Sequence, residues 1–257
     1  MVAGFRPLRL LAPTARFHPT RRRTMTSKLR YLLVLDFEAT CGEKGFPRHE
    51  IEIIEFPTIV YDLQEKKEVG RFHEYVKPVI RPQLTEFCTK LTGITQVSRV
   101  LEFIIQVYLL PVFHFNQETV DNAEAFPHVW NRFKAFLETQ NLWDDPWTYA
   151  FITCGAWDLR TMLPQQLSKI VSKNPSAESD ELLLSTHFQR VINIKTAFQK
   201  QYGCRRAGGM KHMLGTLKLP LVGRHHSGID DCGNILRIVK RMVDDGWVPE
   251  INPDLSK

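Results

Sequence analysis

A chain of 257 residues, 43% of them hydrophobic, is long enough to bury one sizeable core and short for two full domains, so one globular domain with ragged ends is expected. The formal charge of +6 is unevenly spread: residues 1–35 hold eight Lys and Arg and no Asp or Glu, which leaves the remainder at a net −2. Basicity therefore belongs to the N-terminal segment and does not by itself argue for an acidic partner. Five cysteines without a Cys-x-x-Cys pair or a secretory apolar run exclude a disulfide-stapled secreted scaffold and point to a reducing compartment, cytoplasmic or nuclear.

Residues 1–29 read as a basic tail. Its Arg-rich, acid-free start, MVAGFRPLRLLAPTARFHPTRRR, has the composition of a mitochondrial transit peptide, of a disordered tail, or of sequence upstream of a start at Met25. Ordered structure is expected from Tyr31, where YLLVLD is a short apolar run fit for a fully buried strand. EIEIIEFPTIVY (50–61) and GRFHEYVKP (70–78) predict two further strands around a charged turn.

Residues 97–117, VSRVLEFIIQVYLLPVFHFNQ, are a hydrophobic burst that is too interrupted by Arg99, Glu102, Gln106 and Pro111 to span a membrane. Joining Gln96 to Glu118 restores an ordinary loop and helix start, so a retained intron or family-specific insertion is suspected. The apolar spacing over 119–140 predicts a helix or a pair broken at Pro127; 147–155 predicts a second buried strand, with a helix starting directly after it. KNPSAESD (173–180) and GCRRAGGMK (203–211) read as surface connections, the second also as a basic loop able to touch phosphates. Segments 187–202, 208–217 and 228–244 favour helix, and 247–257 reads as a tail. Strands first, then strand and helix in alternation, predict an α/β mixed sheet flanked by helices.

Asp36 and Glu38 follow the first strand with one residue between them, so strand periodicity points both carboxylates to one side. Two like charges held together repel unless a cation lies between them, which makes the pair a set of hard-oxygen ligands for a divalent metal. Asp158 follows the second strand at a helix start, where a carboxylate is equally at home as a cap. In HHSGIDD, His226 stands on a loop and Asp231 in the first turn of the next helix, with His225 and Asp230 as adjacent rivals given flanking roles by register alone. A histidine exchanges a proton near neutral pH, which a metal-bound carboxylate does not readily do. Several carboxylates and one histidine are the set that two-metal hydrolysis of a phosphodiester requires.

The strings DFEATC (36–41), EIIEFP (52–57), FHEYVKP (72–78) with LTEFCTKLTGI (84–94), TCGAWDL (153–159) and GRHHSGIDDCGNI (223–235) resemble, in that order, the ERI-type 3′-to-5′ exoribonucleases of the DEDDh exonuclease superfamily. The resemblance covers an exonuclease domain over 30–246, apart from the insert. It implies a ribonuclease-H-like mixed sheet of five strands. It also implies two Mg²⁺ ions, with Mn²⁺ as a substitute, on Asp36, Glu38, Asp158 and Asp231, and catalysis by Glu38 with His226 as general base. Glu38 and Ala39 would contact the terminal nucleotide, with His226 at its phosphate. The implied activity removes nucleotides from single-stranded RNA 3′ ends or short overhangs as 5′-monophosphates. His225 departs from the pattern, where relatives carry proline, and no nucleic-acid-binding SAP module accompanies these motifs, so histone-type stem-loop targeting is not expected. The alternatives are a DNA exonuclease of the proofreading or Trex type, which shares all five catalytic residues, and a non-catalytic RNA-binding protein.

Overall fold

The computed structural model of the chain describes residues 29–96, 120–171 and 187–251. The first apolar run is strand β1 (Tyr31–Leu35), whose side chains alternate between two packed faces. Leu32 and Val34 enter one core and Leu33 and Leu35 the other, so no position tolerates a polar residue and the run reads as continuously apolar. The strand breaks at Asp36 and Phe37 and resumes as the two-residue β2 (Glu38–Ala39). Both pieces lie along one side of β3 (Ile53–Asp62): Leu35 stands opposite Thr58, and Glu38 opposite Glu55. On the other side of β3 runs β4 (Lys67–Tyr75), antiparallel to it.

Beyond β1 the sheet turns parallel, with β5 (Tyr149–Thr153) beside β1 and β6 (Val191–Asn193) beside β5. The six strand segments thus occupy the five sheet positions expected, β1 and β2 being halves of one interrupted strand. All ten residues of β3 are buried, because helices cover both faces.

One face carries α2 (Phe126–Thr139) and α3 (Leu163–Val171), whose Trp130, Phe133 and Leu163 pack with Phe56 and Phe151. The opposite face carries α4 (Ile194–Tyr202), α5 (Met210–Thr216) and α6 (Gly228–Asp244), packed through Phe198, Met213, Cys232, Ile235 and Val239. No helix among the described residues is long and apolar enough to cross a membrane.

Three local expectations change. The helix expected over 119–140 begins at Phe126, and Pro127 falls in its first turn, where the missing N–H costs no helical bond. The helical reading of 187–202 gives way at its start to β6: Val191 and Ile192 extend the sheet beside β5, and Asn193 then caps α4 by accepting from the Lys195 N–H at 3.0 Å. A short helix, α1 (Glu86–Thr92), had no counterpart; Thr85 caps it by accepting from the Cys88 N–H at 3.0 Å.

The readings made for 97–117 and 173–180 lie outside the described residues, as do those for the tails beyond Leu29 and Ile251. The flanks of the insert, however, meet. Gln96 Nε2 donates to Asp121 Oδ1 at 3.2 Å, and Ile94 and Val120 are buried in the same small cluster with Ile54 and Cys88.

Candidate active site

The interruption between β1 and β2 builds the site. Freed from the ladder, the Phe37 N–H donates to Asp158 Oδ1 at 3.1 Å, which ties the end of β1 to the chain following β5. Asp158 opens a wide helical turn, Asp158–Met162, with i to i+5 bonds ahead of α3, a rare form concentrated at functional sites. Asp36 and Glu38 still converge across the break: one oxygen of each, with one of Asp231, lie within 4.8 Å of one another. Asp158 adjoins this trio, and its charge acts on both Asp36 and Glu38.

Asp231 arrives through the N-terminus of α6, which Glu55 holds against the sheet. Buried in β3, Glu55 accepts from the Gly228 N–H at 2.9 Å and the Ile229 N–H at 3.0 Å, and pairs with His73 Nε2 at 2.9 Å. Gly228 is required by the closeness of this approach: a Cβ there would stand 2.7 Å from the Asp36 carbonyl oxygen and 2.9 Å from the Pro57 ring. The loop before α6 is fastened from the helix itself. Asp230 accepts from the Arg224 N–H at 2.8 Å, and buried Asn234 both donates to the Val222 carbonyl (2.7 Å) and accepts from its N–H (3.0 Å).

The two histidines divide the labour differently from their register. His226, at φ +66, donates its backbone N–H to Asp231 Oδ2 at 3.0 Å. That left-handed conformation is strained for a side chain of this size and is kept by its surroundings. The His225 ring stacks on that of His226 at 3.9 Å, and its Nδ1 lies 3.0 Å from Asp231 Oδ2. His225 is thus part of the site rather than a flank, whereas Asp230 shapes the loop. Ala39 lies half-buried on β2, and its carbonyl accepts from the Cys88 thiol at 3.6 Å.

The electrostatics are those of carboxylates crowded out of water. Burial, then Glu55, Asp231 and Asp158, push Glu38 up to about 8. Burial and the charge of Asp158 raise Asp36 well above the usual range. Burial raises Asp158 to about 6 against the pull of the Phe37 N–H, and Asp231 rises for the same reason against its bonds to His226 and His225. A cluster of hard oxygens that resists ionisation by mutual repulsion fits a divalent cation, whose charge removes the penalty. His226 moves the other way: burial, then its neighbours His225, Lys211 and Arg224, hold it below its ordinary 6.5, so its imidazole is neutral at physiological pH.

Sequence reasoning named Asp36, Glu38, Asp158, Asp231 and His226, and these five meet here. It passed over Glu55, although an acid inside an otherwise apolar strand string is a signal for a buried charge with a partner. It also passed over Trp157, whose ring stands 43% exposed immediately before Asp158.

A model of the Exonuclease family matches residues 33–99 and 105–239. The human protein named ERI1 exoribonuclease 3 is 36% identical over 218 residues, 85% of this chain and 55% of that protein, so this chain spans about half the length of that relative. The 3′-5′ exonuclease eri1 of Schizosaccharomyces pombe is 32% identical over 232 residues, 87% of this chain and 71% of that one. Among solved structures, the nuclease domain of 3′hExo, described as a DEDDh family member bound to rAMP, superposes with a TM-score of 0.69 at 30% identity, over 87% of this chain and 96% of that one. A five-position sheet with acids at its strand ends, a family model matched along most of the chain and relatives of this kind agree, and the chain belongs to the Exonuclease family, in the ERI-type branch of the DEDDh exonucleases.

Proposed function

We propose that the chain is a 3′-to-5′ exoribonuclease that removes nucleotides from RNA 3′ ends and releases 5′-monophosphates, in RNA processing or turnover. The observation that carries this reading is the meeting of Asp36, Glu38 and Asp231 oxygens within 4.8 Å, with Asp158 alongside. Its family implies dependence on a divalent metal. Asp36, Glu38, Asp158 and Asp231 would hold two ions, Mg²⁺ by the hardness of an all-carboxylate set, with Mn²⁺ as a substitute. When bound, such a pair acidifies the attacking water and neutralises charge on the leaving 3′ oxygen.

The chain's own residues do the rest. The neutral imidazole of His226, held at φ +66 and bonded to Asp231 through its backbone, takes the proton of the attacking water. Glu38 and the Ala39 backbone would flank the terminal nucleotide on β2, and the exposed Trp157 ring offers a face on which a base can stack. Single-stranded 3′ ends and short overhangs suit a site that must take one unpaired nucleotide at a time.

The test is release of 5′-monophosphates from a 3′-hydroxyl RNA by the full chain in Mg²⁺. Asp36→Asn is expected to lower it by about three orders of magnitude or more while RNA binding persists, because the variant removes metal-dependent stabilisation worth several kcal/mol. Unchanged release by the variant would refute the assignment. Matched RNA and DNA oligonucleotides digested in parallel decide between substrates, and equal or faster digestion of DNA favours the proofreading or Trex type.

A further inference from the structure

From Leu182 to Ile229 the sequence contains eight Lys and Arg and no Asp or Glu. That stretch supplies β6, α4, α5 and the loop carrying His226, so an acid-free segment is wrapped against a site made of acids. Some of its cations have local work. Lys200 pairs with Glu250, Arg190 donates to the Tyr149 and Trp147 carbonyls, and Arg224 donates to the Lys90 carbonyl. Among the described residues, the side chains of Lys195, Arg205, Arg206 and Lys211 have no such engagement, and Arg205, Arg206 and Lys211 are exposed.

Two of these reach the site itself. Lys195 lies in the first turn of α4, and its Nζ would be 3.7 Å from a Cβ built on Gly155, three residues before Asp158. Burial raises both Asp158 and Cys154, and the charge of Lys195 works against that rise at each. Lys211 lies in the first turn of α5, next to Met210, which is buried in the core cluster that Cys154 packs against; after burial and His225, its charge is among those that hold His226 low. Lys195 thus comes in beside Gly155, just past the end of β5, and α5 brings Lys211 to the same face of the sheet. Arg205 and Arg206 lie in the loop between the two helices.

These lysines are not needed to balance the carboxylates. Four ionised acids would be balanced by two divalent ions, which would leave the lysine charges available to an anion beyond them. An anion must be there in any exonuclease, since the strand continues as phosphodiesters 5′ of the terminal residue.

We propose that the face formed by α4, the 203–209 loop and α5 is the track for that strand. Lys195 and Lys211 take the phosphates nearest the scissile bond, and Arg205 and Arg206 take phosphates further upstream. The proposal rests on the exonuclease reading and assigns a subsite to the basic loop. Its ligand chemistry is the phosphodiester backbone of single-stranded nucleic acid.

The experiment uses the full chain, wild type and the variants Lys195→Gln, Lys211→Gln and the double Arg205→Gln with Arg206→Gln. Lys66→Gln, at the β3–β4 turn, is the control. Steady-state kinetics on 3′-hydroxyl RNAs of two to twelve nucleotides are paired with binding of a labelled twelve-nucleotide RNA to Asp36→Asn versions at several salt concentrations. Either lysine variant is expected to raise KM about tenfold on the twelve-mer with kcat within about twofold, and to flatten the logarithmic salt dependence of binding by about 0.7. The arginine pair is expected to raise KM on the twelve-mer and leave the dinucleotide unaffected; Lys195→Arg and Lys211→Arg are expected to restore binding. Unchanged KM and salt slope in the lysine variants overturns the track, as does a loss confined to kcat or one that the arginine replacements do not restore. Failure of the wild-type chain to release nucleotides in Mg²⁺ overturns the exonuclease reading instead, and the salt-dependent binding arm still reports on the track.

Discussion

As a proposed metal ligand, Glu38 would couple metal binding to proton release. Its carboxyl lies near 8 in the fold and at about 4.5 when solvated, so without metal the folded chain binds a proton between those values that the unfolded chain has released. The stability this group contributes is therefore present in full below about 4.5 and is lost as pH rises toward 8. A metal ion held by Glu38 would have to displace that proton, so the apparent Mg²⁺ affinity, read from activity or calorimetry, is expected to climb about tenfold per pH unit for each proton released between pH 6 and 8. His226 has the opposite sense: held low, it is already a base at pH 7, and the acid limb of kcat/KM is expected below 6.5. His226→Asn is expected to cost about 10²–10⁴-fold in kcat, in line with loss of a general base, and to remove that limb. These five residues were legible because each is a strand-end or helix-start acid, or a histidine beside one. The role of His225 was not, since only the left-handed turn at His226 brings the neighbouring ring onto Asp231.

Among the elements, the seating of α6 on the sheet sets the geometry of the site. Glu55→Ala would strand two N–H groups at the helix start and unpair His73, at about 1–3 kcal/mol for each buried donor left unmet. A lower melting temperature together with a reduced kcat is expected, since Asp231 rides on that helix and His226 on the loop leading into it. Gly228→Ala acts on the same joint sterically and is expected to lower kcat at least as much, because its Cβ meets the Asp36 backbone rather than a flexible side-chain tip. A near-normal kcat in both variants would show that the helix finds its place without them. Periodicity marked α6 and a continuous apolar run marked β1, but β6 is only three residues long, and its strand character comes from pairing with β5, which no local pattern announces. The gap at Asp36 and Phe37 was equally hidden, since an apolar run shows where a strand lies and not where its ladder lets go.

For the whole molecule, removing divalent metal is expected to lower the melting temperature, and by more at pH 8 than at pH 6, because the bare carboxylates cost most where they are ionised. Each kcal/mol corresponds to about 2–4 °C at this size. A metal effect independent of pH would mean that the ions bind elsewhere. The fold class was readable from strands preceding the strand and helix alternation; the covering of β3 on both faces required helices whose ends sequence places only loosely.

The contact between Gln96 and Asp121 has a further consequence. With Gln96 and Asp121 already held together, a chain in which Gln96 is joined directly to Glu118 is expected to melt within a few degrees of the full one and to keep its kcat. Collapse on deletion would show that the residues between belong to the core. The entropy of closing a loop grows only with the logarithm of its length, so the same joint should carry cargo as readily as it sheds it. An epitope or a fluorescent protein grafted there would make a tagged protein whose label leaves both chain termini untouched.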